Sequence, residues 1–315
     1  MHNSAIIFRK FGEPENVLNL ERSPLTSRAE NHIRVNMLFS PVNASDLIPV
    51  TGAYRHRILL PAVAGYEGVG VVIEAPGEAK HLLNKRVLPL RGEGTWQRYV
   101  DCPAEMAIPV PDDINSELAS RSYINPLAAQ LILRNFSPMG KTLLITAAGS
   151  DCAMLLGQWA LMCGVEKVYG IYRSGIHAQT IAHCGIIPIQ QDNIASVIRC
   201  ASESNIVYDA VGGPLAELIL NSMQKQGQFI SYGLMSGQPY KIHNAFPAVK
   251  WFHIRNYLSG MNVDDWKREF EMLWPLLKHS YLAPAQFYQL KDWKQAIVGY
   301  RTMGRRFKPV ISMQD

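Results

Sequence analysis

Cysteine is scarce in this chain and shows no pairing pattern. The 315 residues contain five, at 102, 152, 163, 184 and 200. An odd number with no C-x-x-C pair indicates neither a disulfide framework nor a zinc knuckle, so buried thiols are expected. Long apolar runs are missing as well. No stretch approaches the roughly 20 residues of a membrane-spanning helix. The opening MHNSAIIFRKFGEPE has too short an apolar segment for a secretory signal, and a cytoplasmic protein with no membrane partner is expected. Charge of one sign is not concentrated: 31 Lys+Arg against 26 Asp+Glu leave a net +5, and the densest basic group is Arg305-Arg306 with Lys308. That argues against a nucleic-acid partner, while a mildly basic surface helps attract phosphate-bearing ligands. Internal repeats and low-complexity segments are also lacking. What is present, 48% hydrophobic and 18% charged residues, is the composition of an ordinary globular protein with length enough for two domains.

The chain is organised around Lys141 to Arg173. The apolar run Thr142 to Ala147 suits one buried strand, and it ends at the small residues Ala148-Gly149-Ser150. Beyond them Cys152, Leu155, Leu156, Trp159 and Cys163 recur at helical spacing, Gly164 stands where a helix C-terminal glycine belongs, and Lys167 to Tyr172 reads as a second strand. Strand, small-residue turn, helix and strand form the βαβ unit of dinucleotide-binding folds, where backbone N–H groups and the helix dipole receive a pyrophosphate. The glycine fingerprint is poor: G-x-G-x-x-G is reduced to Gly149 with Ala148, Ser150, Asp151, Cys152 and Ala153 around it. A NAD site places an acid about 20 residues further on to hold the ribose 2′-OH. Tyr172-Arg173-Ser174 offers instead a guanidinium and a hydroxyl, which suit a 2′-phosphate, so the expected cofactor is NADPH. As an isolated feature, Arg173 equally fits a solvated loop cation.

Before this unit the chain reads as β-rich and irregular, with strands at Ser4–Phe8, Val17–Leu20, His32–Leu38, Arg86–Leu90 and Thr95–Val100 and a glycine-bent strand in Pro61–Glu74. From a helix starting near Ser116, strands and helices alternate. Further strands are expected at Ile186–Ile189, Ile206–Ala210, Gln228–Tyr232 and His253–Leu258, giving a parallel, doubly wound sheet of six strands. Asp264–Lys278 is an amphipathic helix. The tail, Ala283–Ser312, reads strand, helix, strand and returns to the first domain, ending on Lys308-Pro-Val-Ile-Ser. Trp159, Trp266, Trp274 and Trp293 sit at helical spacing from other apolar residues and are expected to be packing groups.

Local words then sharpen the assignment. Pro41-Val-Asn-Ala-Ser-Asp46, Gly52-Ala-Tyr54, Pro61-Ala-Val-Ala-Gly-Tyr-Glu-Gly68, Gly94-Thr-Trp96, Asn125-Pro126, Asp209-Ala-Val-Gly-Gly213 and Tyr232-Gly233 resemble, in order and spacing, the medium-chain dehydrogenase/reductase superfamily. Within it they resemble the mitochondrial-type trans-2-enoyl-CoA (enoyl thioester) reductases, and the related quinone oxidoreductases share several of the words. The resemblance implies an α/β protein with a β-rich GroES-like catalytic domain, residues 1–115 and 280–315, plus a Rossmann NADPH-binding domain, residues 116–279. It also implies a homodimer formed by edge-to-edge extension of the cofactor-domain sheet near Arg255–Leu258.

The resemblance further implies that a hydride goes to the β-carbon of a 2-enoyl thioester, with Tyr54 as hydrogen-bond or proton donor and Asn43 holding the nicotinamide ribose or the tyrosine. Asn125, Ala148 to Cys152, Tyr172 to Ser174 and Tyr232-Gly233-Leu234-Met235 would bind cofactor; Tyr54, Trp96, Tyr257 and Leu258 would line the substrate pocket. Asn43 and Asp46 also fit turn-forming and helix-capping roles, Tyr54 a packed loop residue, and Tyr232 a core aromatic. No metal is expected: zinc alcohol dehydrogenases of this superfamily place a histidine where Tyr66 stands and a cysteine at or beside Asn43, and phenol does not replace imidazole in such a site. Two departures from the enoyl reductase pattern are Leu258, where an indole is usual, and Ala128, where a threonine is usual. The alternative functions are a quinone or α,β-unsaturated ketone reductase, and a nucleotide-binding regulator with little catalysis.

Overall fold

The computed structural model describes residues 1–92, 94–242 and 245–314. The chain divides into two units. One comprises Met1–Ile124, Asn262–Lys278 and Ala283–Asp315; the other comprises Asn125–Met261 and His279–Leu282. The helix Val263–Lys278 therefore belongs with the β-rich unit, where the Trp266 indole N–H donates to Met106 O at 3.1 Å.

The second unit is built on a six-stranded parallel sheet. Its order is Ile187–Gln190, Lys167–Tyr172, Thr142–Ile145, Ile206–Asp209, Gln228–Ser231, Ala248–Trp251. The strand Thr142–Ile145 is apolar and buried from Leu143 onward, as a parallel sheet covered on both faces requires. From it the chain turns into the helix Asp151–Met162. There the Ser150 side chain accepts from Ala153 N, and Gly164 at φ 79° turns the chain out again.

One expected strand is absent. His253–Leu258 contains the helix Ile254–Leu258, and the edge strand lies earlier, at Ala248–Trp251. Ile254, Tyr257 and Leu258 stand at i, i+3 and i+4, the spacing of a helix face rather than of a strand. Tyr257 stacks on Phe252 with centroids 5.0 Å apart, and Leu258 is buried.

In the first unit the ten-residue strand His32–Pro41 is central. It pairs antiparallel with Val69–Glu74, Tyr99–Pro103 and the tail strand Lys308–Ser312. The tail thus closes a sheet begun near the N-terminus, with Ala285–Gln289 parallel on its outer side. Two expected strands are shifted along the chain: Leu18–Pro24 replaces Val17–Leu20, because Val17 ends the short helix Pro14–Val17, and Tyr99–Pro103 replaces Thr95–Val100. The core joins Ile6, Ile33, Val35, Val72, Val87 and Trp96. Trp159, Trp266, Trp274 and Trp293 are all buried, as their spacing implied.

Candidate functional site: a buried charge cluster and a nucleotide turn

Three distant segments of the first unit meet at Asn43. Its side chain donates to Glu67 Oε1 at 2.6 Å and accepts from Lys308 Nζ at 2.6 Å, so both ends of the amide are fixed. Glu67 Oε2 accepts the backbone N–H groups of Tyr123 and Ile124 at 3.0 and 2.8 Å, at the start of the helix Ile124–Asn135, where the dipole favours a carboxylate. Asp46 takes the Asn43 N–H at 2.7 Å, in a capping box on the short helix Ala44–Leu47, and the Tyr66 N–H at 2.9 Å. Asn43, Asp46, Glu67 and Lys308 are all buried. One ammonium thus faces two carboxyl groups in a dry environment.

That imbalance has a proton consequence. Burial, aided by the charge of Glu67, pushes the Asp46 carboxyl up to about 8, against opposing hydrogen bonds from Asn43 and Tyr66 and the Lys308 charge. Burial raises Glu67 as well. A folded-state value above the unfolded one means that folding takes up a proton. The stability this confers is complete below the usual value of 3.8 and is lost as pH rises through about 8. The denaturant midpoint of the wild-type protein is expected to fall between pH 5 and pH 8, and Asp46→Asn should flatten that dependence by up to about 1.4 kcal/mol per pH unit. A slope unchanged in the variant would exclude Asp46 as its source.

Tyr54 follows Gly52 and precedes the turn Arg55–Arg57, with its side chain partly exposed. Trp96 differs from its expected place in a substrate pocket. It is 0% exposed, its indole N–H donates to Pro41 O at 3.2 Å, and its ring lies against Gly65. It is therefore a core pin that holds the Asn43 and Glu67 loops together. Tyr66 offers its backbone to Asp46. Among the described residues no group of three His, Cys, Asp or Glu is placed to hold a metal ion.

In the second unit three of the expected cofactor segments follow the carboxyl ends of strands, where open α/β sheets bind their ligands. Ala148-Gly149-Ser150 follows the central strand and leads into the N-terminus of a 12-residue helix. The Cys152 thiol donates to Asn125 O at 3.7 Å, which joins two of the expected cofactor residues. Tyr172-Arg173-Ser174 follows the neighbouring strand, and the Arg173 guanidinium is exposed. Asp209 ends the next strand, its carboxylate accepting from Thr146 Oγ1 at 2.7 Å and from Gly212 N at 2.9 Å, which shapes the Gly212-Gly213 turn. Tyr232-Gly233-Leu234-Met235 follows the fifth strand, with Met235 N bonded to Ala210 O at 2.8 Å.

The Tyr232 hydroxyl is buried with no hydrogen-bond partner among the described residues, and burial holds its proton on far beyond neutral pH. An orphaned donor at a strand's carboxyl end, a small-residue turn on a helix N-terminus and an exposed guanidinium after the second strand fit a phosphorylated dinucleotide. Tyr257 and Leu258 lie on the short helix after the edge strand.

A parallel, doubly wound unit and a β-rich unit with its own polar centre define an α/β protein of the Rossmann class. No family model matches the chain. A structure of a candidate NADPH:quinone reductase from Bacillus thuringiensis is 31% identical, with a TM-score of 0.93 and full coverage of both chains. Mitochondrial enoyl-[acyl-carrier-protein] reductase of Xenopus tropicalis is 29% identical over 280 residues, 84% of this chain and 78% of that protein. The Etr1p complex with NADP and crotonyl-CoA shares the fold at a TM-score of 0.84 and 18% identity, over 99% of this chain and 100% of that one. The chain belongs to the medium-chain dehydrogenase/reductase superfamily.

Sequence reasoning missed Lys308 as a site residue and gave Glu67 only as the neighbour of Tyr66. The available signal was a lysine opening a fully buried strand whose next three residues are apolar, Lys308-Pro-Val-Ile-Ser.

Proposed function

We propose that the protein is an NADPH-dependent, zinc-independent enoyl thioester reductase acting on a 2-enoyl-CoA or 2-enoyl-acyl-carrier-protein. The observation that carries this is the partly exposed Tyr54 in a chain that aligns over 84% of its length with an enoyl-[acyl-carrier-protein] reductase. NADPH, when bound, supplies the hydride that reaches the β-carbon of the substrate. Ala148, Gly149 and Ser150 with the helix N-terminus hold its pyrophosphate, Arg173 and Ser174 its 2′-phosphate, and Tyr232 to Met235 its nicotinamide half.

Tyr54 donates a hydrogen bond from its phenol O–H to the thioester oxygen, where negative charge develops. Asn43 is gripped by Lys308 and Glu67, so the loop leading to Tyr54 starts from a rigid point. Lys308 and Asn43 occupy the polar centre in place of a Lewis acid, which suits reduction of an activated carbon–carbon double bond. The protein acts in the cytoplasm as a homodimer. Its sheets join through Ala248–Trp251, an edge strand whose Trp251 is 63% exposed, and not through the helix at Ile254–Leu258.

Oxidation of NADPH at 340 nm with crotonyl-CoA, a longer 2-enoyl-CoA and a small quinone tests the proposal, with NADH as control. Tyr54→Phe should lower thioester turnover about tenfold, the loss of about 1.4 kcal/mol of transition-state stabilisation. Quinone reduction indifferent to Tyr54, with no thioester turnover, would favour a quinone reductase, the activity named for the Bacillus thuringiensis relative. NADPH binding without turnover on any activated alkene would favour a regulatory nucleotide-binding role.

A further inference from the structure

The loop that leaves the strand Gln228–Ser231 has little of its own to hold it in place. Residues 232–240 read Tyr-Gly-Leu-Met-Ser-Gly-Gln-Pro-Tyr, in which glycine, serine and proline break regular structure, and 234–239 are all exposed. Backbone bonds tether it at one place: Met235 N to Ala210 O at 2.8 Å and Ser236 N to Val211 O at 3.0 Å. Gly237 N to Leu234 O at 2.9 Å then closes a turn that sends the chain back. A loop with so few buried contacts opens locally at low cost. Its first half, Tyr232 to Met235, is nevertheless the part assigned to the nicotinamide, where a displacement of about 1 Å is felt in the rate.

Tyr240 supplies a second anchor. Phe229, Ser231, Val249 and Trp251 share one face of the sheet, because the register pairs Phe229 with Val249 and Ser231 with Trp251 and side chains alternate along each strand. The returning loop sets the Tyr240 ring on this face. It stands edge-on to Phe229 with centroids 5.9 Å apart, and stacks on Trp251 at 5.5 Å with 24° between the planes. Phe229 is fully buried, so that contact is with the core; Trp251 lies mostly exposed on the edge strand, and Tyr240 covers one face of its indole. The Tyr240 hydroxyl is buried and makes no hydrogen bond of normal geometry among the described residues, so the ring rather than the oxygen does the holding. Lys241 N, donating to Glu217 Oε1 at 2.8 Å, fixes the chain immediately beyond.

We propose that Tyr240 is a positioning residue for hydride transfer: stacked on Trp251, it pins the return leg of the loop whose first half, Tyr232 to Met235, sets the place of the nicotinamide. The inference rests on the NADPH-dependent reading of the protein and adds to it a residue that acts through the loop. It also gives Trp251 a task besides edge pairing. The residues assigned to the pyrophosphate and the 2′-phosphate lie on other loops, so releasing Tyr240 should cost geometry at the nicotinamide and leave affinity nearly unchanged.

Wild type, Tyr240→Phe, Tyr240→Ala and Trp251→Ala are to be compared by titration with NADPH, following the emission of the reduced nicotinamide, and by turnover with crotonyl-CoA and a small quinone. A nicotinamide held rigidly on a protein emits more strongly than one free in water. Both alanine variants are expected to bind NADPH within about twofold of wild type, to lose most of that gain in emission, and to lower kcat about tenfold with the KM of the acceptor unchanged. Tyr240→Phe keeps the stack and should match wild type in every readout. Tyr240→Ala leaves the edge strand intact, so a loss it shares with Trp251→Ala does not come from separated subunits. If Tyr240→Ala does not fold, Trp251→Ala decides, since it removes the exposed half of the stack. Emission and kcat within about twofold of wild type in the alanine variants would overturn the inference while leaving the NADPH assignment standing. A lower melting temperature and weaker NADPH binding with kcat unchanged would overturn it too, by showing a structural role alone. Because the emission reads the nicotinamide directly, it decides even in a protein that binds NADPH and turns nothing over. A wild-type protein that binds no NADPH would overturn both readings.

Discussion

Replacing Lys308 by methionine is expected to cost about 3–5 kcal/mol of folding stability, the usual result of removing one partner from a buried ionic group. The ammonium is 2% exposed and is the cation that opposes Glu67 and Asp46 in their shared burial. Methionine fills much of the same volume, so the loss measures charge and hydrogen bonding more than packing. Both carboxyl groups would then rise further, and the loss should deepen with pH. Combining Lys308→Met with Glu67→Gln removes one stranded charge and should recover part of the stability, a coupling that a double-mutant cycle reads directly. Urea midpoints followed by two probes serve as the measurement, since a two-unit chain need not unfold in one step. A single variant within about 1 kcal/mol of wild type would show that the cluster is neutral overall and that Lys308 has no ionic task.

The second large effect belongs to Gly65. Its φ is 91°, a left-handed conformation that side chains with a Cβ rarely adopt, and an added Cβ would stand 2.3 Å from Trp96 Cδ1 and 2.5 Å from Thr95 Oγ1. Neither neighbour yields easily, because Trp96 is fully buried and Thr95 Oγ1 donates to Glu67 O at 2.9 Å. Gly65→Ala is therefore expected to destabilise by roughly 2–4 kcal/mol from backbone strain and overpacking together. Tyr66 and Glu67 follow directly, so the variant should also lose activity in proportion to displacement of the Asn43 cluster. Gly65→Ala combined with Trp96→Phe tests the cause: relief of the clash should return part of the loss, and no recovery would assign the whole effect to the backbone.

The parallel sheet was legible because its determinants are local. Strand, turn and helix in Lys141 to Arg173 each carry their own periodicity and stop signal, and the observed boundaries agree within two residues. The edge strand was misplaced because Ala248–Trp251 and Ile254–Leu258 are both short, and only the i, i+3, i+4 spacing of the second separates them. Superfamily words led toward Trp96 as a pocket residue, while its burial depends on Gly65 and Pro41, which no spacing rule connects to it. The charge cluster was the least legible part. Lys308 and Asn43 lie 265 positions apart, and nothing in either segment names the other.

The placement of Lys308–Ser312 beside His32–Pro41 also sets an order of assembly during translation. A ribosome working toward the C-terminus completes the six parallel strands once Trp251 has emerged, while the sheet begun at His32 still lacks the strand that lies between His32–Pro41 and Ala285–Gln289. The unit that starts later can therefore close first, and the one that starts first must wait until Lys308–Ser312 has emerged. Until that strand docks, Glu67 and Asp46 have no ammonium to face. The nascent chain carries an unfinished half until residue 312 is free to pair.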